Sequence, residues 1–218
     1  MWKGIFPAVT TKFTVNDELD HKEMERCFAL QIEAGVDGLV VNGSLGEGSM
    51  LSHEERLTVL KTAQSVAGGK PVLMTVAEAA TRDAAALGKK AARAGAAGLM
   101  VVPSPIYHAD PKETTETLRD VAEAADLPVM IYSNRVAYRV DVTPEIMEEL
   151  ASDKRFVAIK ESSDDIRRTL EIFNRLFDRY DVFIGVDNLA LRRWHSAQSV
   201  GWPASWSLSR RRRSRSGG

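Results

Sequence analysis

The residues best suited to chemistry lie in Val157-Ala158-Ile159-Lys160-Glu161. Three apolar residues run into a lysine, and the polar stretch Ser162-Ser163-Asp164-Asp165 follows. That order reads as a buried parallel strand with Lys160 at its carboxyl end. An amine placed there is partly withdrawn from water, which disfavours its ammonium form and lowers its pKa. A neutral lysine amine condenses with a ketone to give a Schiff base. The competing reading is a strand-ending lysine that turns to water and pairs with a carboxylate. Tyr132 ends a second apolar run one strand away, where a phenol can move protons beside Lys160. Its competing reading is an amphipathic residue at a rim. The loop Asn42-Gly43-Ser44-Leu45-Gly46-Glu47-Gly48 carries three glycines. Its backbone N–H groups can hold an anion such as a carboxylate, with Ser44 relaying a proton; a tight turn explains the glycines equally well. Glu47 braces this loop.

These residues need a scaffold that brings strand exits together. Apolar runs with strand character recur at Ile5–Thr10, Gly38–Val41, Pro71–Val76, Gly98–Val102, Pro128–Tyr132, Phe156–Lys160 and Val182–Gly185. Helical patterns lie between them: His21–Ala34, a helix opened by the capping box Ser52-His53-Glu54-Glu55, and Thr81–Ala94 with Thr81 as cap. Three more follow: a helix led by Pro111, a short one at Thr143-Pro144-Glu145, and Asp164–Arg179. Seven strand–helix units imply a parallel α/β sheet. With no Gly-x-Gly-x-x-Gly after the first strand and an even repeat, the expected fold is a (βα)8 TIM barrel of about seven units here. The exits of a parallel barrel share one face, so Thr10 and Thr11, Gly43-Ser44-Leu45-Gly46-Glu47, Tyr107, Tyr132, Lys160 and Gly185 become the candidate site.

The barrel domain is expected over residues 1–191, which carry 22 basic and 30 acidic side chains. Residues 192–218 carry seven arginines and no acid, and hold three of the four tryptophans. They show no strand or helix period and are expected to be irregular. One reading is a nucleic-acid-binding tail. Another comes from the genetic code. Residues 197–207 can be encoded by codons that, read one base out of register, spell Gly-Ala-Val-Gly-Trp-Leu-Ala-Gly-Leu-Val-Val, a good barrel strand. The tail is therefore expected to be a frameshift product, with no nucleic-acid partner. No run is long and apolar enough to span a bilayer, so no membrane partner is expected. The N-terminus lacks a signal-peptide apolar region, and Cys27 is the single cysteine; together they suggest a cytoplasmic protein. The four histidines are scattered and Asp164-Asp165 suits a helix start, so neither metal nor cofactor is expected.

Gly43-Ser44-Leu45-Gly46-Glu47, Tyr132 and Ile159-Lys160-Glu161, with Gly4 and Pro7-Ala8-Val9-Thr10 ahead, resemble the dihydrodipicolinate synthase and N-acetylneuraminate lyase family. The resemblance covers about residues 3–191. It implies an eight-fold βα barrel, homo-oligomeric assembly (usually tetrameric), and class I Schiff-base chemistry on pyruvate or another small 2-oxo acid. It further implies Lys160 as the Schiff-base lysine, Tyr132 as the proton-transferring tyrosine, and Ser44 as the first hydroxyl of the family's Gly-Thr-Thr-Gly-Glu loop. Tyr107 matches a tyrosine that reaches across a dimer interface. Two departures stand out. Leu45 replaces the loop's second hydroxyl, and Tyr132-Ser133-Asn134-Arg135-Val136-Ala137 replaces Tyr-Asn-Val-Pro-x-Arg, placing alanine where the arginine binds an aldehyde substrate's carboxylate. The expected reaction is therefore aldol cleavage or condensation, dehydration or deamination of a 2-oxo acid. The alternative is an inactive fragment that retains only subunit association.

Overall fold

Strands of continuous apolar character alternate with amphipathic helices, and in the computed structural model they assemble into a curled parallel sheet with helices outside. The structure describes residues 2–106, 108–176, 179–187 and 189. Six strands lie in sequence order: β1 Leu39–Val41, β2 Val72–Val76, β3 Gly98–Val101, β4 Val129–Ser133, β5 Phe156–Glu161 and β6 Asp181–Ile184. Every neighbouring pair is parallel. The longer helices are α1 His21–Glu33, α2 His53–Val66, α3 Thr81–Arg93, α4 Pro111–Ala125, α6 Pro144–Leu150 and α7 Ile166–Arg175; a one-turn helix α5, Arg135–Tyr138, follows β4. This is an incomplete (βα)8 barrel, of the expected class.

The first expected strand is the main local difference. Residues 5–10 form no strand of their own. Ala8 makes a single parallel bridge to Val40, held by Val9 N–H to the Val40 carbonyl and Val40 N–H to the Pro7 carbonyl. Pro7 has no N–H to extend the ladder. Helix starts follow local chemistry more closely. Ser52 and Glu55 form the anticipated reciprocal capping box, and Asp110 and Glu113 form another in front of Pro111. Thr81, by contrast, does not cap α3. Ala80 occupies that place, and the Thr81 hydroxyl instead bonds the Thr117 hydroxyl on α4. Helix α7 starts two residues later than expected, because Asp165 caps it by accepting from the Arg167 N–H.

Side chains divide between two apolar layers. Leu39, Val41, Met74, Leu99, Val101, Ile131 and Ile159 meet Met24, Phe28, Leu60, Leu87 and Leu118 of the helices. Val40, Leu73, Met100, Met130, Tyr132 and Ala158 fill the barrel interior with Trp2, Phe6 and Phe183. Phe6 meets Phe183 edge to face, 5.5 Å between ring centroids, so the curl brings the two ends of the sheet within contact. All four residues of β6 are only half-buried, whereas the interior strands are almost wholly buried. No described strand pairs with the outer side of β6. The expectations about residues 192–218 fall outside the described residues.

Candidate active site

An irregularity in β5 aims Lys160. Val129 stands opposite Phe156, but Met130 stands opposite Ala158, so Val157 is an extra residue in the β5 ladder. A bulge of this kind re-phases a strand. With strict alternation Lys160 would share the face of Phe156, which packs among the helices. The extra residue instead turns Ala158 and Lys160 inward, where Ala158 joins the interior layer. Lys160 then lies opposite Tyr132 in the ladder, with its Nζ 4.8 Å from the Tyr132 ring centroid. Burial lowers the Lys160 pKa, and the Asp187 carboxylate acts in the opposite sense. The interior therefore favours the neutral, nucleophilic amine.

Space around Lys160 depends on a residue with no side chain. Gly185 follows β6 and continues its ladder by donating its N–H to the Glu161 carbonyl. A Cβ there would lie 1.8 Å from Ser162 Oγ and 3.0 Å from Lys160 Cε. Gly185 thus lets β6 approach the lysine stem. Glu161, next in sequence, serves the other side of the sheet. It is buried, its carboxylate accepts from the Ser163 N–H, and burial raises its pKa. With Ser163, Asp165 and Thr169 it lines a small cavity apart from Lys160.

Tyr132 is buried at the end of β4. Asn134 donates from Nδ2 to the Tyr132 oxygen at 3.0 Å, so the phenol's own proton remains available to give. The same Asn134 caps α5 by accepting from the Ala137 N–H. Tyr138, last in α5, packs edge to face on Tyr132, with centroids 5.9 Å apart and planes at 79°. The Tyr138 hydroxyl shares a hydrogen bond with Ser44. Sequence reasoning missed both Asn134 and Tyr138. A four-residue helix carries no period, and only the spacing of two between Tyr132 and Asn134 could have signalled that they share a side.

Ser44 is positioned by two consecutive 3₁₀ turns, Ser44–Gly46 and Gly48–Met50, after β1. The Gly46 and Gly48 N–H groups both donate to the Gly43 carbonyl, and Thr11 Oγ1 donates to the Gly46 carbonyl at 2.6 Å. A Cβ on Gly48 would come within 2.1 Å of the Asn42 carbonyl oxygen, so this turn requires glycine. Gly43 is buried, whereas Ser44 and Leu45 are exposed at the mouth. Of the two threonines named, Thr10 is exposed and Thr11 makes the loop contact. Of the expected set, the structure brings Lys160, Tyr132 and Gly185 together and ties Ser44 to Tyr132 through Tyr138. Tyr107 lies outside the described residues.

Comparison with known proteins places this geometry in a family. The sequence profile of the dihydrodipicolinate synthetase family matches residues 1–201. A 4-hydroxy-tetrahydrodipicolinate synthase from Natronomonas pharaonis is 37% identical over 191 residues, covering 86% of this chain and 64% of its own length. The chain thus spans about two thirds of that relative's length. The 4-hydroxy-tetrahydrodipicolinate synthase structure from the methanotroph Methylacidiphilum fumariolicum SolV superposes with a TM-score of 0.85 at 26% identity, covering 93% of this chain and 66% of that one. A prophage protein of the dihydrodipicolinic acid synthase family from E. coli K12, solved in complex with pyruvate, gives 0.78 at 26% identity, covering 92% and 79%. The family profile covers most of the chain and the Natronomonas relative is more than 30% identical over it: the chain belongs to the dihydrodipicolinate synthetase family.

Proposed function

We propose that the protein to which this chain belongs is a Schiff-base-forming lyase or synthase acting on pyruvate or another small 2-oxo acid. The observation that carries this reading is the Lys160 amine, desolvated against the face of Tyr132 at the carboxyl end of a parallel barrel strand. Lys160 attacks the 2-oxo carbon as a neutral amine. The resulting carbinolamine loses water to give an imine, and Tyr132 moves protons to and from the leaving oxygen. The turn Gly43-Ser44-Leu45, with its N–H groups at the mouth, receives the 2-oxo acid's carboxylate. Imine formation turns the carbonyl into an electron sink, so the bond at the next carbon can break or form. Aldol cleavage or condensation, dehydration and deamination all pass through that step. The pyruvate complex of the E. coli relative supports pyruvate as the first compound to try. Homo-oligomeric assembly and a cytoplasmic location belong to the same proposal.

The substrate class is tested by borohydride reduction in the presence of pyruvate, 2-oxobutyrate or acetone, read by intact mass. The expected result is one adduct per chain with either 2-oxo acid and little with acetone, because the ketone lacks the carboxylate. Equal capture of all three would remove the carboxylate site from the proposal. No capture of any would leave subunit association as the reading.

A further inference from the structure

We propose that Tyr138 is a positioning residue for this chemistry, joined to Ser44 in a hydroxyl pair that holds the Tyr132 phenol against Lys160. The proposal deepens the Schiff-base reading and rests on it. Three contacts run in line from the interior to the mouth. Lys160 Nζ lies over the Tyr132 ring, the Tyr138 ring packs edge to face on the same ring, and the Tyr138 hydroxyl bonds Ser44. Burial decreases along that line, from buried Tyr132 through half-buried Tyr138 to exposed Ser44. The arrangement joins helix α5 to the 3₁₀ turn after β1 through residues 94 positions apart in the chain.

Local chemistry explains why Tyr138 arrives there. Asn134 caps α5 with its carbonyl oxygen and holds the Tyr132 oxygen with its amide, so the helix start and the phenol are fixed by one side chain. One turn later the chain leaves the helix through Arg139 in the left-handed region, φ 60°. Tyr138 is thereby the last helical residue, and its ring returns over Tyr132. Leu45, beside Ser44, is exposed and offers no hydroxyl, and the hydroxyl that meets Ser44 comes from α5.

The step that depends on this alignment is balanced within the site. Once pyruvate is bound as the protonated imine, a C–H bond of its methyl group breaks. The electron pair forms the enamine double bond, and the imine π pair returns to nitrogen. Tyr132, having given its own proton to the hydroxyl that left as water, accepts this one on its oxygen and exchanges it with water, and the reverse path restores the methyl group. A misaligned phenol slows this transfer and the dehydration before it, but leaves unchanged the final amount of imine that reduction traps.

Two readouts on the whole protein test the proposal: borohydride capture of pyruvate at Lys160, and hydrogen–deuterium exchange of the pyruvate methyl group followed by proton NMR in D₂O. Tyr138→Phe should keep the end-point yield of capture within twofold of the unsubstituted protein while slowing exchange roughly tenfold, and Ser44→Ala, which removes the other half of the same pair, should slow exchange by a similar factor. The double variant should be no slower than either single one, because each removes the same hydrogen bond. Ser44→Thr should restore the rate. A merely structural loss would lower capture and exchange together and would not be rescued by threonine. Exchange unchanged in Tyr138→Phe, or single losses that multiply in the double variant, would overturn the positioning role alone. No adduct on Lys160 in the unsubstituted protein would overturn the Schiff-base reading and the proposal with it.

Discussion

At the scale of single residues, the proposed chemistry rests on two side chains and one glycine. Lys160 is held below the ordinary lysine value of 10.5 by burial. Its capture of pyruvate should therefore follow the neutral amine with a midpoint below 10.5, and a capture-rate profile against pH checks this. A midpoint at or above 10.5 would mean that the amine is not desolvated. The same shift sets the sign for stability. The unfolded chain binds this proton more tightly than the folded one, so the contribution of Lys160 rises with pH from its lowered value up to 10.5. Gly185 gives a second test. Gly185→Ala should slow capture at least tenfold, because the new methyl meets Ser162 Oγ and the lysine stem. Adding Ser162→Gly should restore part of the rate, since it clears the nearer clash. A double variant no faster than Gly185→Ala would place the obstruction elsewhere. Lys160 and Tyr132 were legible in the sequence because each ends a strand-length apolar run. Their orientation was not, since it depends on the Val157 bulge, and no alternation in Phe156-Val157-Ala158-Ile159 announces one.

At the scale of elements, reading improved with the local character of the signal. The Ser52-x-x-Glu55 box and Pro111 at a helix start act over one turn, and both formed as expected. Ser52→Ala should cost about 1 kcal/mol of stability, because it leaves an N–H at the start of α2 without its partner. For a chain of this size that is about 2–4 °C in Tm, measurable by a thermal melt; no change would show that the box is energetically idle. Thr81 was misread for a tertiary reason: its hydroxyl finds Thr117 on α4, which no local pattern reveals. Residues 5–10 looked like a strand by composition but pair through a single bridge, since Pro7 supplies no donor. Helix α5 is too short for periodicity to show, yet it carries Tyr138 to Ser44.

At the scale of the whole molecule, the sheet's last described strand is the one least buried. β6 is half-buried throughout, and no described strand covers its outer edge. Unpaired strand edges and uncovered apolar surface favour association between chains. Exposure of several hundred Å² costs on the order of 10 kcal/mol, comparable with the stability of a domain. On the expectation that residues 192–218 supply no closing strand, the 218-residue chain should self-associate or aggregate. The same chain with its reading register shifted by one base after codon 191 should give a soluble oligomer with a sharp melt. Size-exclusion chromatography of the two proteins decides, and a monodisperse 218-residue monomer with a sharp, high-temperature transition would contradict both expectations. Fold class was legible from the even strand–helix repeat. The closeness of the sheet's two ends was not, because it depends on Phe6 and Phe183 meeting across the barrel interior.

The central claim is that Lys160 is the nucleophile toward a 2-oxo acid, and peptide mapping of the borohydride-reduced pyruvate adduct tests it most directly. The expected result is a reduced pyruvyl group on the peptide containing Lys160 and on no other. It should be absent in Lys160→Arg, whose guanidinium stays protonated and cannot attack. An adduct on another lysine with Lys160 unmodified, or capture that survives Lys160→Arg, would contradict the assignment.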